Sequence, residues 1–216
     1  MLKVHEIFRS IQGEGVDTGI PCVFVRLYGC NVKCTFCDQP QKPGQCQRMS
    51  IQHIIDEVQK FRHTKNVCIT GGEPLIQEEV YPLIYSLVER GYNVSIETNG
   101  CTPIDEDYHQ RSYKYVMDIK CPSSGVSSKN IFTNIKHLHP NDEIKFVVAD
   151  RKDYEYARNI IKNNYTRATI LFSPMFDENL KPVIGSQLCD WICEDFDTKD
   201  YNVRVQIQLH KILGVL

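Results

Sequence analysis

An α/β fold built on a mainly parallel sheet is what this sequence predicts, and three observations carry it. Short apolar stretches rich in β-branched residues alternate with amphipathic helical ones, the pattern of successive βα units. The units number roughly six, too few for a closed eight-stranded barrel, so a partial barrel or a doubly wound sheet is expected. The 216 residues are 42% hydrophobic and contain no Pro/Gly/Ser-rich linker, so one domain over 1–216 is expected.

Lys plus Arg number 25 against 27 Asp plus Glu, a formal charge of -2. No general attraction for nucleic acid or anionic membrane is expected, and small molecules are the expected partners. The start, Met1-Leu2-Lys3-Val4-His5-Glu6, lacks the regions of a signal peptide, and no apolar run approaches the roughly 18 residues of a membrane span. A cytoplasmic location is therefore expected. In a reducing compartment, clustered cysteines among the ten present point to metal binding or chemistry rather than disulfides.

Taken in order, Lys3 to Phe8 alternates weakly as a first strand and runs into Ser10-Ile11-Gln12-Gly13-Glu14-Gly15, whose glycines permit a tight turn or a backbone held close to a ligand. Cys22 to Tyr28 reads as a buried strand ended by Gly29; its one charge, Arg26, is either paired in the core or reaching for an anion. Gln39 to Met49, with Pro40, Pro43 and Gly44, reads as a loop. Ser50 offers an N-cap for a helix over Ile51 to His63, where Ile51, Ile54, Ile55, Val58 and Phe61 recur at helical spacing. A strand at Val67 to Thr70 leads through Gly71-Gly72-Glu73-Pro74 into a helix from about Gln77 to Arg90, with Pro82 near its start and Gly91 past its end. Strands follow at Asn93 to Glu97 and Tyr113 to Ile119, and Cys121 to Ser128 is the most loop-like stretch. Asp142 to Val148, helical Lys152 to Asn163, Ala168 to Phe172, helical Ile184 to Phe196 and a strand over Val203 to Leu209 complete the alternation.

The chemistry concentrates in Cys30-Asn31-Val32-Lys33-Cys34-Thr35-Phe36-Cys37, in the loop leaving the second strand. A structural zinc site wants a fourth ligand. Three thiolates on a [4Fe–4S] cluster instead leave one iron open, able to chelate the amino and carboxylate groups of S-adenosylmethionine. Gly71 and Gly72 would let backbone approach that cofactor's ammonium group, and Glu73 adds a carboxylate of suitable charge. The plainer alternative is a strand-to-helix turn with an acid favoured by the helix dipole. His53 and His63 read as solvated helix residues, and Cys68 and Cys101 as packed thiols. Cys189 and Cys193, spaced i,i+4, would ligate a second metal only if other ligands joined them.

Cys30-x3-Cys34-x2-Cys37 followed by Thr70-Gly71-Gly72-Glu73-Pro74 resembles the radical S-adenosylmethionine superfamily. Within it, Glu6-Ile7-Phe8, Ile11-Gln12-Gly13-Glu14-Gly15, Phe24-Val25-Arg26-Leu27-Tyr28-Gly29-Cys30, Cys34-Thr35-Phe36-Cys37-Asp38 and the ending Gln208-Leu209-His210-Lys211 are similar to the 7-carboxy-7-deazaguanine synthase family. The resemblance implies a partial (β/α)6-type radical SAM barrel. It also implies conversion of 6-carboxy-5,6,7,8-tetrahydropterin to 7-carboxy-7-deazaguanine with loss of ammonia, on the route to queuosine and other 7-deazapurines. Matched by motif, Cys30, Cys34 and Cys37 would hold the [4Fe–4S] cluster. Gln12, Gly13, Glu14, Arg26, Thr70, His210 and the terminal carboxylate of Leu216 would contact substrate. Phe36, Asp38, Gly72, Glu73, Glu97, Asp118 and Lys120 would contact S-adenosylmethionine, although Asp118-Ile119 replaces the family's usual Ser-Pro before that lysine. Gln39 stands where the family usually places a Thr or Ser that ligates Mg2+, a departure that implies weaker or absent magnesium dependence. The resemblance further implies a homodimer and an electron donor such as flavodoxin or ferredoxin.

Two other readings of the cysteines make different demands. A glycyl-radical-enzyme activase would need a broad apolar docking surface and would have no use for Gln12-Gly13-Glu14 with His210. A non-catalytic iron–sulfur or zinc module would need a fourth protein ligand, for which Cys46 is nearest in sequence.

Overall fold

The computed structural model describes residues 1–39, 44, 46–104, 112–197 and 199–215. Its strands are β1 (Leu2–Ile11), β2 (Pro21–Leu27), β3 (Gln47–Met49), β4 (Asn66–Gly71), β5 (Asn93–Thr98), β6 (Tyr113–Asp118), β7 (Glu143–Val148), β8 (Thr169–Pro174) and β9 (Val203–Val205). The helices are α1 (Ile51–Gln59), α2 (Val80–Glu89), α3 (Arg151–Asn163), α4 (Gly185–Asp195) and α5 (Leu209–Leu213).

All strands join one sheet in the order β3-β1-β2-β4-β5-β6-β7-β8-β9. β1 is antiparallel to β2 and β3, and every pair from β2 to β9 is parallel. From β4 onward the order never reverses. A doubly wound sheet would change direction at a switch point, so the sheet is a partial, open barrel.

The sheet alternates with period two, and its two faces differ in chemistry. Val23, Val25, Leu27, Val67, Ile69, Val94, Ile96, Tyr115, Ile144, Phe146 and Phe172 join the main core with Ile54, Ile55, Leu83, Leu87, Tyr154 and Leu188 of the helices. Each such side chain contributes roughly 1.5–3 kcal/mol on burial, so this layer dominates stability. The other face carries a small patch of Cys22, Phe24 and Cys68 packed with Phe8, and beyond it the charged and polar residues of the site.

Several elements differ from expectation. β1 extends on both sides of Lys3 to Phe8, because its whole length pairs with β2 and β3. β3 lies within the expected 39–49 loop; Gln-Arg-Met has no apolar pattern, and edge pairing alone makes it a strand. Pro40 and Pro43 lie outside the described residues. α1 is capped by Ser50, whose side chain accepts from His53 N, but ends at Gln59 rather than His63. Successive turns, Phe61 N to Val58 O at 3.1 Å and Thr64 N to Phe61 O at 3.1 Å, lead away while Phe61 still packs on the core. The helix expected from Gln77 begins at Val80, after a 3₁₀ turn at Pro74–Ile76, with Pro82 in its first turn where its missing N–H costs nothing. Between β6 and β7 the described chain forms three 3₁₀ segments, Pro122–Ser124, Ser127–Lys129 and Phe132–His137, in place of a crossover α-helix. Finally, the strand expected over Val203 to Leu209 pairs with β8 only through Val205. The chain then turns, and Leu209 opens α5.

Candidate active site

Parallel strands bring their C-terminal ends to one rim, and the residues there surround a cavity of about 900 Å³. The loop after β2 forms one wall. Gly29, at φ +105, turns the chain off the strand, and Cys30, Cys34 and Cys37 all line the cavity. Cys30 and Cys37 are exposed and Cys34 is half-buried; burial raises the Cys34 thiol pKa, against the lowering effect of Lys120. The loop is pinned from two sides. Thr35 donates through N to Ser124 O at 3.0 Å and through Oγ1 to Ser123 O at 2.7 Å, so the 121–128 stretch is its buttress. Asn99 Nδ2 donates to Asn31 Oδ1 at 2.8 Å and approaches Cys30 Sγ at 3.7 Å, while Asn31 Nδ2 reaches Cys101 O and Thr102 Oγ1.

Glycine is required at 71 and 72 by this loop. A Cβ at Gly71 would stand 2.1 Å from Leu27 O, and one at Gly72 would stand 2.2 Å from Gly29 O and 2.8 Å from Cys30 Cβ. The pair thus packs the end of β4 against the end of β2 at Leu27 and against Gly29 and Cys30 just beyond it, in addition to lining the cavity. Glu73 departs from the expected cofactor-facing carboxylate. It is fully buried, and its side chain accepts from Leu75 N (3.0 Å), Thr98 Oγ1 (2.9 Å) and Asn99 N (2.7 Å). Its backbone N donates to Gly29 O at 2.8 Å, and the carboxylate holds the 98–100 turn that in turn holds Asn31 and Cys30.

Across the cavity, Arg26 is paired within the protein and also faces the open space. Its Nε forms an ion pair with Glu6 Oε1 at 2.8 Å without the alignment of a hydrogen bond, its guanidinium lies 5.3 Å over the Phe8 ring, and it still lines the cavity. Glu97 joins two residues expected on the substrate side: Thr70 Oγ1 donates to Oε2 at 2.7 Å and Gln12 Nε2 to Oε1 at 3.2 Å. Glu14 forms an ion pair with Lys145 and accepts from Gln208 Nε2. Burial raises the Glu14 carboxyl, but the Lys145 charge and these hydrogen bonds outweigh it and hold the pKa at about 2. Asp118 Oδ2 lies 3.0 Å from Lys120 Nζ and 3.5 Å from Lys145 Nζ, and its buried Oδ1 has no hydrogen-bond partner among the described residues.

The C-terminal segment closes the remaining side. Leu209 N donates to Gly13 O at 2.9 Å and His210 packs directly on Gly13, where an added Cβ would fall 2.2 Å from Nδ1. Phe36, Asp38 and Gln39 also line the cavity, and Lys211 Nζ reaches Asp38 Oδ2 at 3.6 Å. Leu216, expected to offer its carboxylate here, lies outside the described residues. Cys46 is exposed and is absent from the cavity lining.

Lys145, Asn99, Gln208 and Lys211 were not anticipated. Gln208 and Lys211 stand in the ending motif beside His210, and Lys145 carries a signal of its own, a lone cation in an apolar strand, as Arg26 is in β2. The donor set suits a cluster with a bound sulfonium cofactor: three accessible thiols on one wall, a buttressed loop, and carboxylates and an unpaired Asp118 oxygen for hydroxyl and ammonium groups. Among the described residues no three His, Cys, Asp or Glu side chains converge to hold a single metal ion.

Comparison with known proteins agrees with this chemistry. The family model for the radical SAM superfamily matches residues 24–110. A 7-carboxy-7-deazaguanine synthase of Koribacter versatilis is 39% identical, the match covering 98% of this chain and 96% of that protein. One of Methanospirillum hungatei is 37% identical over 99% and 86%. The crystal structure of QueE from Escherichia coli shares the fold, with a TM-score of 0.73 at 22% identity, covering 95% of this chain and 93% of that one.

Proposed function

Since this chain belongs to the 7-carboxy-7-deazaguanine synthase family of the radical SAM superfamily, we propose that it converts 6-carboxy-5,6,7,8-tetrahydropterin to 7-carboxy-7-deazaguanine with loss of ammonia. It would thus act as a carbon–nitrogen lyase in queuosine or related 7-deazapurine synthesis. The observation that carries this reading is a single cavity lined at once by Cys30, Cys34 and Cys37 and by Gln12, Glu14, Arg26, Thr70 and His210.

In this reading Cys30, Cys34 and Cys37 would hold a [4Fe–4S] cluster, with S-adenosylmethionine bound beside it in the same cavity. Together these groups supply the one-electron chemistry that starts hydrogen abstraction from substrate. The protein binds and orients. Arg26, its plane set by Glu6 and Phe8, pairs with the substrate carboxylate. Glu14 and the Glu97-linked pair of Gln12 and Thr70 meet the donor-rich pterin edge. Gly13 and His210 close the cavity beside it. On the cofactor side, Phe36, Asp38 and Gly72 border the adenosine and methionyl groups, Glu73 acts from behind them by holding the 98–100 turn, and Asp118 Oδ1 accepts from a ribose hydroxyl beside Lys120. Glu97 sits between the two sides rather than on the ribose alone.

Gln39 borders the cavity with an amide in place of a compact hydroxyl. Octahedral magnesium accommodates that poorly, so the proposal includes weak or absent magnesium dependence. A large rate stimulation by magnesium at saturating substrate would count against it. A reduced flavodoxin or ferredoxin as electron donor, a homodimer and a cytoplasmic location complete the reading. Ten unpaired thiols suit a reducing compartment, and no described helix is long and apolar enough to cross a membrane.

The test is anaerobic cluster reconstitution followed by assay of 5′-deoxyadenosine and 7-carboxy-7-deazaguanine from the carboxypterin. Cofactor cleavage without that product would remove the substrate assignment.

A further inference from the structure

Lys145 stands between the two halves of the cavity. It sits on β7 directly opposite Asp118 of β6 in the parallel register, and Ile119 N donates to its carbonyl at 2.9 Å, so its position is set by the sheet. The side chain is 10% exposed. Its ammonium pairs with Glu14, on the loop after β1, and lies 3.5 Å from Asp118. The two carboxylates are unequally dependent on it. Asp118 keeps Lys120 at 3.0 Å, whereas Glu14 has no other ion pair among the described residues.

We infer that Lys145 is a positioning residue that fixes Glu14 as an ionised hydrogen-bond acceptor for the N–H edge of the pterin and ties that edge to the cofactor side through Asp118. The inference rests on the proposed pterin substrate for its kinetic consequence only. An ionised carboxylate accepts at both oxygens, whereas a protonated one places an O–H donor against a substrate edge that is itself rich in donors. Burial favours the neutral form of Glu14, and the Lys145 charge opposes it. The other groups facing this pair are Glu97 from β5, Asp118 and Lys120 from the end of β6, and Gln208 and His210 at α5. None replaces a full positive charge at Lys145: Glu97 and Asp118 are acids, Lys120 is engaged by Asp118, and His210, which also acts on Glu14, has a smaller effect there than Lys145.

Lys145→Met removes the charge and keeps the stem. We expect the KM for the carboxypterin to rise roughly tenfold or more at neutral pH, with a smaller change in kcat, because a charge-assisted bond is exchanged for a neutral or repulsive one. The KM should fall again as pH rises and Glu14 ionises, while the parent stays flat over the same range. Lys145→Arg should restore most of the loss. Infrared spectroscopy supplies a readout that needs no substrate: a protonated-carboxyl band at neutral pH in K145M, absent in the parent and in the double variant K145M/E14Q. A lysine that only stabilises the fold would lower the melting temperature without creating that band or a pH-dependent KM, and either absence overturns the inference. Should K145M fail to fold, E14Q alone decides: it must show the raised KM without the pH dependence, and an unchanged KM refutes the role. If the parent makes no 7-carboxy-7-deazaguanine, the substrate reading falls, and the infrared band still decides the link between Lys145 and Glu14.

Discussion

Replacing Gly13 by alanine tests whether the loop after β1 and the C-terminal helix must meet at their present spacing. No left-handed backbone conformation is needed at Gly13, so the added methyl acts through space alone. It would stand 2.2 Å from His210 Nδ1 and 2.7 Å from His210 Cβ and Cγ, where ordinary contact begins at 3.4 Å. Clearing the nearest atom needs 3.4 − 2.2 = 1.2 Å of movement. Because Cβ is also overlapped, rotating the imidazole is not enough, and α5 must move. A misplacement of about 1 Å in a group that orients substrate costs on the order of a hundredfold, so kcat/KM should fall by about that factor. Stability should change little, since the lost docking is offset by the reduced freedom of an unfolded chain with alanine for glycine. Steady-state kinetics beside thermal unfolding reads both. If the effect runs through residue 210, G13A/H210G should be no slower than H210G alone. A G13A enzyme within about threefold of the parent would refute the reasoning.

Three further outcomes follow from the site. Cys30→Ala, Cys34→Ala and Cys37→Ala should each abolish the iron–sulfur absorbance after anaerobic reconstitution, whereas Cys46→Ala and Cys101→Ala keep it; loss of the chromophore in C46A would revive the four-ligand module. Glu14→Gln bears on acid stability. The folded pKa is lowered from the ordinary 4.5 to about 2, so the stabilisation is present above the ordinary value and lost as pH falls through the folded one. The raised pKa of Lys145 acts on the opposite, alkaline limb. The stability gap between parent and E14Q, read by denaturant titration, should therefore narrow between pH 4.5 and about 2, and a gap constant with pH would contradict the pairing. Arg26→Lys keeps the charge but loses the planar fork set by Glu6 and Phe8, so the KM for the carboxypterin should rise by about tenfold. An unchanged KM would separate Arg26 from the substrate carboxylate.

The fold was legible where one physical rule decides. Val23, Val25 and Leu27, or Ile144, Phe146 and Val148, are apolar because they meet helices, and such runs show in any reading of the chain. β3 escaped because an edge strand takes its structure from a partner's hydrogen bonds, which leave no mark on Gln-Arg-Met. The 203–209 stretch misled for the converse reason: Gln206 and Gln208 are both buried, yet beside a helix start and the cavity rather than in a sheet. In the site, residue types and spacings announced the cysteines, Arg26 and the glycine pair. What they could not announce was orientation. Glu73 looks ligand-facing in sequence, and three donors turn it inward. Lys145 and Asn99 act through partners far along the chain, 131 positions for Lys145 to Glu14 and 69 for Asn99 to Cys30.

The helix that closes the cavity also orders events in time. Glu14 and Gln208 lie 194 positions apart, and their contact, with that of Gly13 and Leu209, joins two stretches that have strands β2 to β9 between them in the chain. Strands β1 through β8 can pair before α5 has been synthesised, because none of their ladders involves it. During that interval the Cys30–Cys37 loop already has its buttresses at Asn99 and Ser124 while the opposite wall is missing. A chain paired through β8 but without α5 therefore leaves the Cys30–Cys37 loop facing a wider opening than the complete fold does.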